Sequence, residues 1–404
     1  MNCFRIEEII EDSVAAWRAS PSDFPPLGPP FSPNEQKSRE RRLDFHLDAV
    51  DAELRKTSRI RGSAEAALAH ITSVFVQIST YALDIDDPYI ENLLQNGFLH
   101  IARDLARRAR HIDPNVSMID ILQAARNAWT ACGLQVLLGR ELRLTPAIFA
   151  YSMLYPYSDN YLDDAKTSPG AKLRFNERFR RRLEGEYFSP ESRREDVICQ
   201  LVELIESEYP RSLFPQVYAS LLAIHAAQQD SVLQMQRSDG VDIARLTLTK
   251  GGTSVLADAY LAAGSLTECE ARFAFNWGVL LQLGDDLQDI SSDRASGSRT
   301  LFTQTAIQGP LDQLTNRTFH FSRIVMEQMS GLPNASGILK QLLARSCQLL
   351  LIRNAANASQ SYTGTYMAAL ETYSPFGFDF LRDREQRFIR RQRSYSRLFE
   401  RAVG

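Results

Sequence analysis

The chain lacks several features that would place it in common protein classes. Only five of its 404 residues are cysteine, and they are scattered without the short spacings of a metal site. We therefore expect reduced thiols and a reducing compartment. No run of apolar residues is close to the length of about 20 residues that a membrane span requires. The acidic N-terminus has no apolar run of the kind found in a signal peptide. These absences predict a soluble, cytoplasmic protein.

A strong excess of one charge is also missing. Lys and Arg total 46 against 49 Asp and Glu, which gives a formal net charge of −3. This balance predicts no nucleic-acid partner. Hydrophobic residues make up 44% and charged residues 24% of the chain, as in globular proteins with a large core. The length suits two or three domains, or one large helical domain with an N-terminal extension.

The sequence shows neither the alternation of apolar and polar residues typical of strands nor repeats of a fixed period. Its apolar residues instead recur at three- and four-residue steps. This spacing predicts helices over Ala64–Ser79, Asn96–Ile112, Met118–Leu138, Pro146–Leu162, Asp196–Tyr209, Phe214–Arg237, Ile243–Ala263, Leu266–Ile290, Leu311–Met329 and Ser336–Ala358. The sequence therefore predicts an all-α helical bundle.

Prolines crowd residues 20 to 33. Because proline fixes φ and lacks a backbone donor, this segment is predicted to be an extended connector. We expect residues 1–34 to form an N-terminal extension and residues 35–404 the main α-domain. The domain ends in an arginine-rich segment, Leu381–Ala402. That segment is either a solvated amphipathic helix, which we favour, or a tail for an acidic partner.

The first acidic cluster is Asp159-Asn-Tyr-Leu-Asp163-Asp164. If one helix continues through it, a single face carries Ile148, Tyr151, Tyr155, Asp159 and Asp163. This face begins with residues suited to a core and then turns acidic, which is costly without compensation. Pro156 must either kink the helix or mark a restart. In both cases Asp159 and Asp163 stay one turn apart.

The second acidic cluster is Asp285-Asp286-Leu-Gln-Asp289, at the end of a long apolar helix. At about 100° per residue, one side of this helix carries Phe275, Gly278, Gln282, Asp285 and Asp289. A small residue and an amide followed by carboxylates suggest the lining of a cavity rather than a dry helix seam.

Paired carboxylates of this kind favour a divalent cation. Two carboxylates about 6 Å apart repel by about 3 kcal/mol at an effective dielectric constant near 20, and a cation removes that cost. Mg²⁺ prefers hard oxygen ligands, usually a few carboxylates with water and phosphate. A single Asp-rich turn is most often a solvated helix end. Two such turns on the apolar stripes of long helices favour a metal site.

The two clusters resemble known motifs. Leu281-Gln-Leu-Gly-Asp285-Asp286-Leu-Gln-Asp289 resembles the second aspartate-rich motif of trans-prenyltransferases, FQxxDDxxD, with Leu in place of Phe. The Asp159 cluster is similar to the DxxxD or DxxxDD first motif of squalene, phytoene and some terpene synthases. Lys250-Gly-Gly-Thr253-Ser254 is similar to the Lys-Thr helix break of prenyltransferases. The resemblance, to the class I isoprenoid synthase superfamily, runs over roughly Met118 to Ala306.

The resemblance implies an isoprenoid synthase-type helical bundle with a central apolar cavity, and three Mg²⁺ ions that promote departure of diphosphate from a prenyl diphosphate. It implies these metal ligands: Asp159, Asp163, Asp164, Asp285, Asp286 and Asp289. For the diphosphate it implies Lys250 with Arg237 or Arg245. Tyr155, Phe275 and Gln282 are the candidate cavity residues, although core packing explains the aromatic pair equally well. His225 and Gln228 or Gln229 are further candidates for the site. Members of this superfamily frequently form homodimers.

Within the superfamily, the sequence favours a class I terpene synthase that cyclises or quenches the allylic cation. Chain-elongating enzymes need a second diphosphate site, marked by Gly-Lys-x-x-Arg-Pro well before the first motif. The nearest match here, Gly139 to Pro146, lies too close to Asp159. The Arg-Tyr pair of many cyclases is also missing, since neither Tyr362 nor Tyr366 follows an arginine. A prenyl diphosphate synthase, a head-to-head prenyltransferase and a non-catalytic homologue remain the alternatives.

Overall fold

In a computed structural model, the described residues are 6–57, 64–85, 87–93, 97, 99–164, 166–235, 240 and 242–403. Over these ranges the chain forms α-helices joined by turns, and no strand occurs within them, so the all-α prediction is confirmed. The helices are α1 (Ile6–Ala19), α2 (Pro33–Thr57), α3 (Ala64–Ala82), α4 (Pro88–Asn92), α5 (Leu99–Ile112), α6 (Met118–Leu137), α7 (Pro146–Asp163), α8 (Pro169–Glu184), α9 (Arg193–Glu208), α10 (Pro215–Met235), α11 (Ile243–Ala263), α12 (Glu268–Gln288), α13 (Ile290–Ser296), α14 (Leu301–Gln308), α15 (Asp312–Gln328), α16 (Gly337–Asn357), α17 (Gly364–Glu371) and α18 (Phe378–Val403).

Each predicted long helix is present, with ends that mostly differ by one to three residues. Two long helices, α2 and α8, were not predicted. Their apolar residues are sparse among many charges, so the helical step is weak in sequence. In α8 the buried apolar residues are nevertheless Phe175, Phe179 and Leu183, at steps of four. None of the described helices is long and apolar enough to cross a membrane.

The helix that carries the first acidic cluster is defined by local signals. Thr145 is the N-cap of α7, and its hydroxyl accepts a hydrogen bond from the Ile148 amide at 3.3 Å. Pro146 follows at the first helical position, where a missing N–H costs nothing. The helix does not restart at Pro156 but continues to Asp163. Asp159 therefore belongs to the same helix as the apolar residues before it.

The chain divides into two compact units, and the first consists of residues 1–13, 100–279 and 331–334. Within it, α7 packs against α6, α9 and α11, and α10 packs against α8 and α11. Helix α7 therefore has neighbours on several sides.

Helices α11 and α12 approach each other closely inside the first unit, at positions where both carry glycine. A Cβ on Gly252 would collide with the ring of Phe275. A Cβ on Gly278 would collide with the carbonyl oxygen of Gly251 and lie 2.8 Å from the Cβ of Val255. Only glycine fits at these two contacts, because the space of a methyl group is already filled.

The second unit consists of residues 14–99, 280–330 and 335–404. Here α18 packs against α2, α3 and α16. Its arginines pair with acidic residues of α2, as Arg384 with Asp44 at 2.9 Å and Arg387 with Asp51 at 2.7 Å. The arginine-rich segment is thus a helix as favoured, and part of its charge is paired within the chain.

The proline-rich connector lies between α1 and α2 without regular structure, as expected for an extended segment. In the second unit, three side chains contact its backbone carbonyl oxygens. Asn316 donates to Ser22 at 3.0 Å, and Gln348 donates to Leu27 at 3.0 Å. His320 Nε2 lies 3.1 Å from the carbonyl oxygen of Asp23. The boundary at residue 34 between extension and main domain stays a prediction.

Candidate active site

A pocket in the first unit opens beside Asp159 and measures about 460 Å³ including its mouth. Its polar lining consists of Asn127, Tyr151, Tyr155, Ser158, Asp159, His225, Gln228 and Ser254. Its apolar lining consists of Leu154, Phe179, Leu183, Leu221 and Ile224. These residues come from five helices, α6, α7, α8, α10 and α11. One carboxylate thus shares a small pocket with aromatic and aliphatic side chains.

The carboxylate of Asp159 is buried and contacts the side chains of Gln228 and Ser158. The amide nitrogen of Gln228 donates to both of its oxygens, at 2.9 and 2.8 Å. The hydroxyl of Ser158 lies 3.0 Å from Oδ1. Asp159 is only 9% exposed. Because a buried carboxylate is costly, the two hydrogen bonds from Gln228 stabilise it.

His225 lies on α10, one turn before Gln228, and also lines the pocket. It is 4% exposed, and its ring meets the Phe179 ring edge-on with centroids 5.1 Å apart. Burial lowers the pKa of the imidazole to about 4, and a hydrogen bond to the backbone of Asn176 only partly opposes this. The ring is therefore neutral near pH 7. Among the described residues, none is a hydrogen-bond partner of its Nε2.

Asp258 was not predicted from the sequence, and it lies on α11 one turn after the pocket residue Ser254. Asp258 is 1% exposed, and Asn127 Nδ2 lies 3.3 Å from its Oδ1. Burial raises the pKa of this carboxyl well above its ordinary value, and the hydrogen bond from Asn127 only partly opposes this. Its Oδ2 has no hydrogen-bond partner in the described part of the chain. The sequence signal that could have identified it is a single acidic residue within the otherwise apolar stretch from Val255 to Ala263.

The other members of the first acidic cluster differ from Asp159. Asp163 ends α7, and its side chain lies outside what the structure describes. Asp164 follows as the C-cap and is exposed. Its carboxylate accepts from the Lys166 amide at 2.9 Å and from the Thr167 hydroxyl at 3.3 Å. The Lys166 bond, more than the Thr167 bond, lowers the pKa of Asp164. Asp164 therefore stabilises the turn after α7, and its role as a metal ligand stays a prediction.

The second acidic cluster lies in the second unit, at the end of α12. The predicted helix face is buried at Phe275 and Gly278, half-buried at Gln282 and exposed at Asp285 and Asp289. Asp286 lies one turn after Gln282, about 40° from it around the helix, and is 6% exposed. The amide of Gln282 donates to Asp286 Oδ1 at 2.8 Å. The cluster thus offers exposed carboxylates at positions 285 and 289, one turn apart.

The candidate diphosphate residues have different surroundings. Lys250 is half-buried on α11, and within the described residues it forms no ion pair. Arg245 forms ion pairs with Glu7 and Glu11 of α1, the latter at 2.7 Å. These pairs give Arg245 a structural role, and its role in diphosphate binding stays a prediction. Arg237 lies outside the described residues.

Of the three candidate cavity residues, only Tyr155 lines the pocket, where it is 42% exposed. Phe275 is fully buried against Gly252 and is not among the pocket residues. It packs between α11 and α12, and its role as a cavity residue stays a prediction. Gln282 belongs to the second unit and is hydrogen-bonded to Asp286.

The oxygen donors of the two acidic clusters bear on magnesium binding. Within the described side chains, no group of three His, Cys, Asp or Glu comes together. The carboxylates that are present, a buried Asp159 and the exposed Asp285 and Asp289, fit the preference of Mg²⁺ for oxygen ligands. The magnesium sites therefore stay a prediction.

No family model matches the chain, and no curated protein matches it. Among solved structures, the chain is similar to the crystal structure of a geranyltransferase from Legionella pneumophila, with a TM-score of 0.43 and 11% sequence identity. The match covers 70% of this chain and 99% of that chain. What this chain does is therefore inferred from its own residues.

Proposed function

We propose that the chain is a class I terpene synthase with an isoprenoid synthase-type fold. It ionises a linear prenyl diphosphate with Mg²⁺, cyclises or quenches the allylic carbocation, and releases diphosphate. The observation that supports this best is the carboxylate of Asp159, buried in an apolar and aromatic pocket and hydrogen-bonded through both oxygens to the amide of Gln228. A carboxylate in such a place offers the hard oxygen donors that Mg²⁺ prefers.

The metal ligands are Asp159 and, in the second acidic cluster, Asp285 and Asp289, with Asp163, Asp164 and Asp286 as further ligands. Bound Mg²⁺ supplies Lewis-acid stabilisation of the charge that develops on the leaving diphosphate. Lys250 contributes a positive charge for the diphosphate, because it is half-buried and has no ion pair within the described residues. An ammonium group in that state is suited to a phosphate oxygen.

The pocket wall supplies the surroundings that a carbocation needs. Tyr151, Tyr155 and Phe179 present aromatic rings, whose faces attract cations. Leu154 and Leu221 keep part of the wall apolar and limit the access of water. The Tyr151 hydroxyl donates to the Ser254 carbonyl at 3.3 Å, which fixes its ring against α11.

The test is an assay of purified protein with C10, C15 and C20 allylic diphosphates and Mg²⁺, with and without isopentenyl diphosphate. Diphosphate release and cyclic or alcohol products from a single substrate are expected. Products that require isopentenyl diphosphate would instead identify a chain-elongating prenyltransferase, and products from two joined allylic substrates a head-to-head enzyme. If no substrate yields diphosphate, the chain is a non-catalytic homologue.

A further inference from the structure

His225 is the one imidazole that lines the pocket described above, and it has no role in the ionisation step. It is buried beside Phe179, and its Nε2 has no hydrogen-bond partner in the described part of the chain. An imidazole is rarely left in this state, because an unsatisfied buried nitrogen has lost its hydrogen bonds to water without replacement. Such an atom in a pocket points to a function with a ligand.

The tautomer of the ring follows from its surroundings. The imidazole hydrogen-bonds to the backbone of Asn176, on α8 beside the pocket. A neutral imidazole that donates through one nitrogen keeps a lone pair on the other. Nε2 is therefore a base without a proton, inside a pocket that also holds Tyr155 and Ile224.

We propose that His225 is the catalytic base that ends the reaction by taking a proton from the carbocation, so that the product is an olefin. This inference rests on the proposed function, because that function generates the cation. The other polar groups of the pocket are less suitable. Both oxygens of Asp159 already accept from Gln228, and the remaining groups are weakly basic amides and hydroxyls.

The step balances without another reactant. The C–H bond next to the cationic carbon breaks, its electron pair forms the C=C bond, and the proton binds to Nε2. A C–H bond beside a carbocation is far more acidic than imidazolium, so even a weakly basic buried ring accepts the proton. The imidazolium then passes its proton to the released diphosphate as the products leave, and the neutral ring is restored.

The experiment compares the wild type with His225→Gln and His225→Phe. Glutamine keeps a donor for the Asn176 backbone but has no basic nitrogen, and phenylalanine keeps the ring volume. His100→Gln, at an exposed position of α5, is the matched control. For each protein, diphosphate release reports ionisation, and the olefin-to-alcohol ratio reports proton removal. Circular dichroism and thermal unfolding check the fold.

We expect wild type and His100→Gln to give mainly olefin. In both His225 variants the olefin-to-alcohol ratio should fall by about 10²-fold, while diphosphate release stays within about threefold. An unchanged ratio in a folded variant would overturn the role of His225. A wild-type product that is only alcohol would also overturn it. So would a variant in which diphosphate release and olefin formation fall by the same factor. If one variant does not fold, the other decides. Absence of diphosphate release in the wild type would overturn the proposed function itself.

Discussion

Gln228 presents a single amide nitrogen to both carboxylate oxygens of Asp159, at 2.9 and 2.8 Å. The two residues are 69 positions apart in sequence, on α10 and α7. A neutral amide stabilises the carboxylate without cancelling its charge. An arginine in the same place would compete with an incoming cation. The pair therefore suits a site that is preformed for a metal ion.

The first prediction concerns Gln228→Glu, which places a second carboxylate against Asp159. Without Mg²⁺, repulsion raises the pKa of the pair above the unfolded value near 4.3. The variant should therefore match wild-type stability below about pH 4 and lose it as pH rises, by about 2 kcal/mol at about pH 8. Because a cation relieves the repulsion, millimolar Mg²⁺ should restore its melting temperature.

The measurement is thermal unfolding at about pH 5 and about pH 8, with and without Mg²⁺. Gln229→Glu is the matched control, because Gln229 is the next residue on α10 and is not among the pocket residues. If Mg²⁺ does not change the melting temperature of Gln228→Glu at either pH, the result would argue against a metal at Asp159.

The second prediction is that Asp159→Asn lowers diphosphate release by about 10³-fold, or about 4 kcal/mol of transition-state stabilisation. Asparagine has nearly the same shape, so the free energy of unfolding should change by no more than about 1 kcal/mol. The control is Asp379→Asn, whose side chain is 99% exposed. Release kinetics and urea unfolding measure the two effects. Normal turnover by Asp159→Asn would refute its role as a ligand.

The third prediction follows from the raised pKa of Asp258. In the unfolded chain this carboxyl titrates near pH 3.9, whereas in the folded protein it stays protonated to a much higher pH. Between these values the folded state holds a proton that the unfolded state has lost. The stability from this group is therefore complete below pH 3.9 and decreases, by about 1 kcal/mol per pH unit, as pH rises towards the folded value.

Asp258→Asn removes this titration while keeping a group of similar size beside Asn127. Urea unfolding at about pH 5 and about pH 7 should show a smaller loss of stability in the variant than in the wild type. Equal losses in both proteins would mean that Asp258 is not protonated in the folded state.

The fourth prediction contrasts two glycines. Gly278→Ala should lower the free energy of unfolding by about 3 kcal/mol, because its methyl group would collide with the Gly251 carbonyl oxygen. Gly133→Ala, inside α6 with no atom within 4 Å of the added Cβ, should raise it by about 0.5–1 kcal/mol. Urea unfolding of both variants checks the prediction. Equal effects would contradict the close approach of α11 and α12.

The helices were predictable where apolar residues recur with the helical period, most clearly in α5, α9 and α15. The partners within the pocket were not. That the amide of Gln228 meets Asp159, or that Asn127 meets Asp258, depends on how helices far apart in sequence pack together. The partners of the α8 arginines were not predictable either. Arg178 pairs with Glu195 at 2.7 Å and Arg182 with Glu206 at 2.7 Å.

The face of α12 gives a second example of this limit. Helical geometry correctly placed Asp285 and Asp289 on the side of Gln282. It did not indicate that Asp285 and Asp289 are exposed while Phe275 and Gly278 are buried, since exposure depends on what packs around each turn. Asp286, one turn after Gln282, is the buried member of the cluster.

The connector between α1 and α2 bears on how this protein can diverge. Asn316, His320 and Gln348 contact main-chain oxygens of the connector, which every amino acid carries. Most of its own side chains are therefore open to drift over generations without loss of these contacts. The length of the connector and its proline-stiffened path are therefore more constrained than the identities of its amino acids. Related chains should then keep the anchoring side chains on α15 and α16 even where the connectors themselves no longer align.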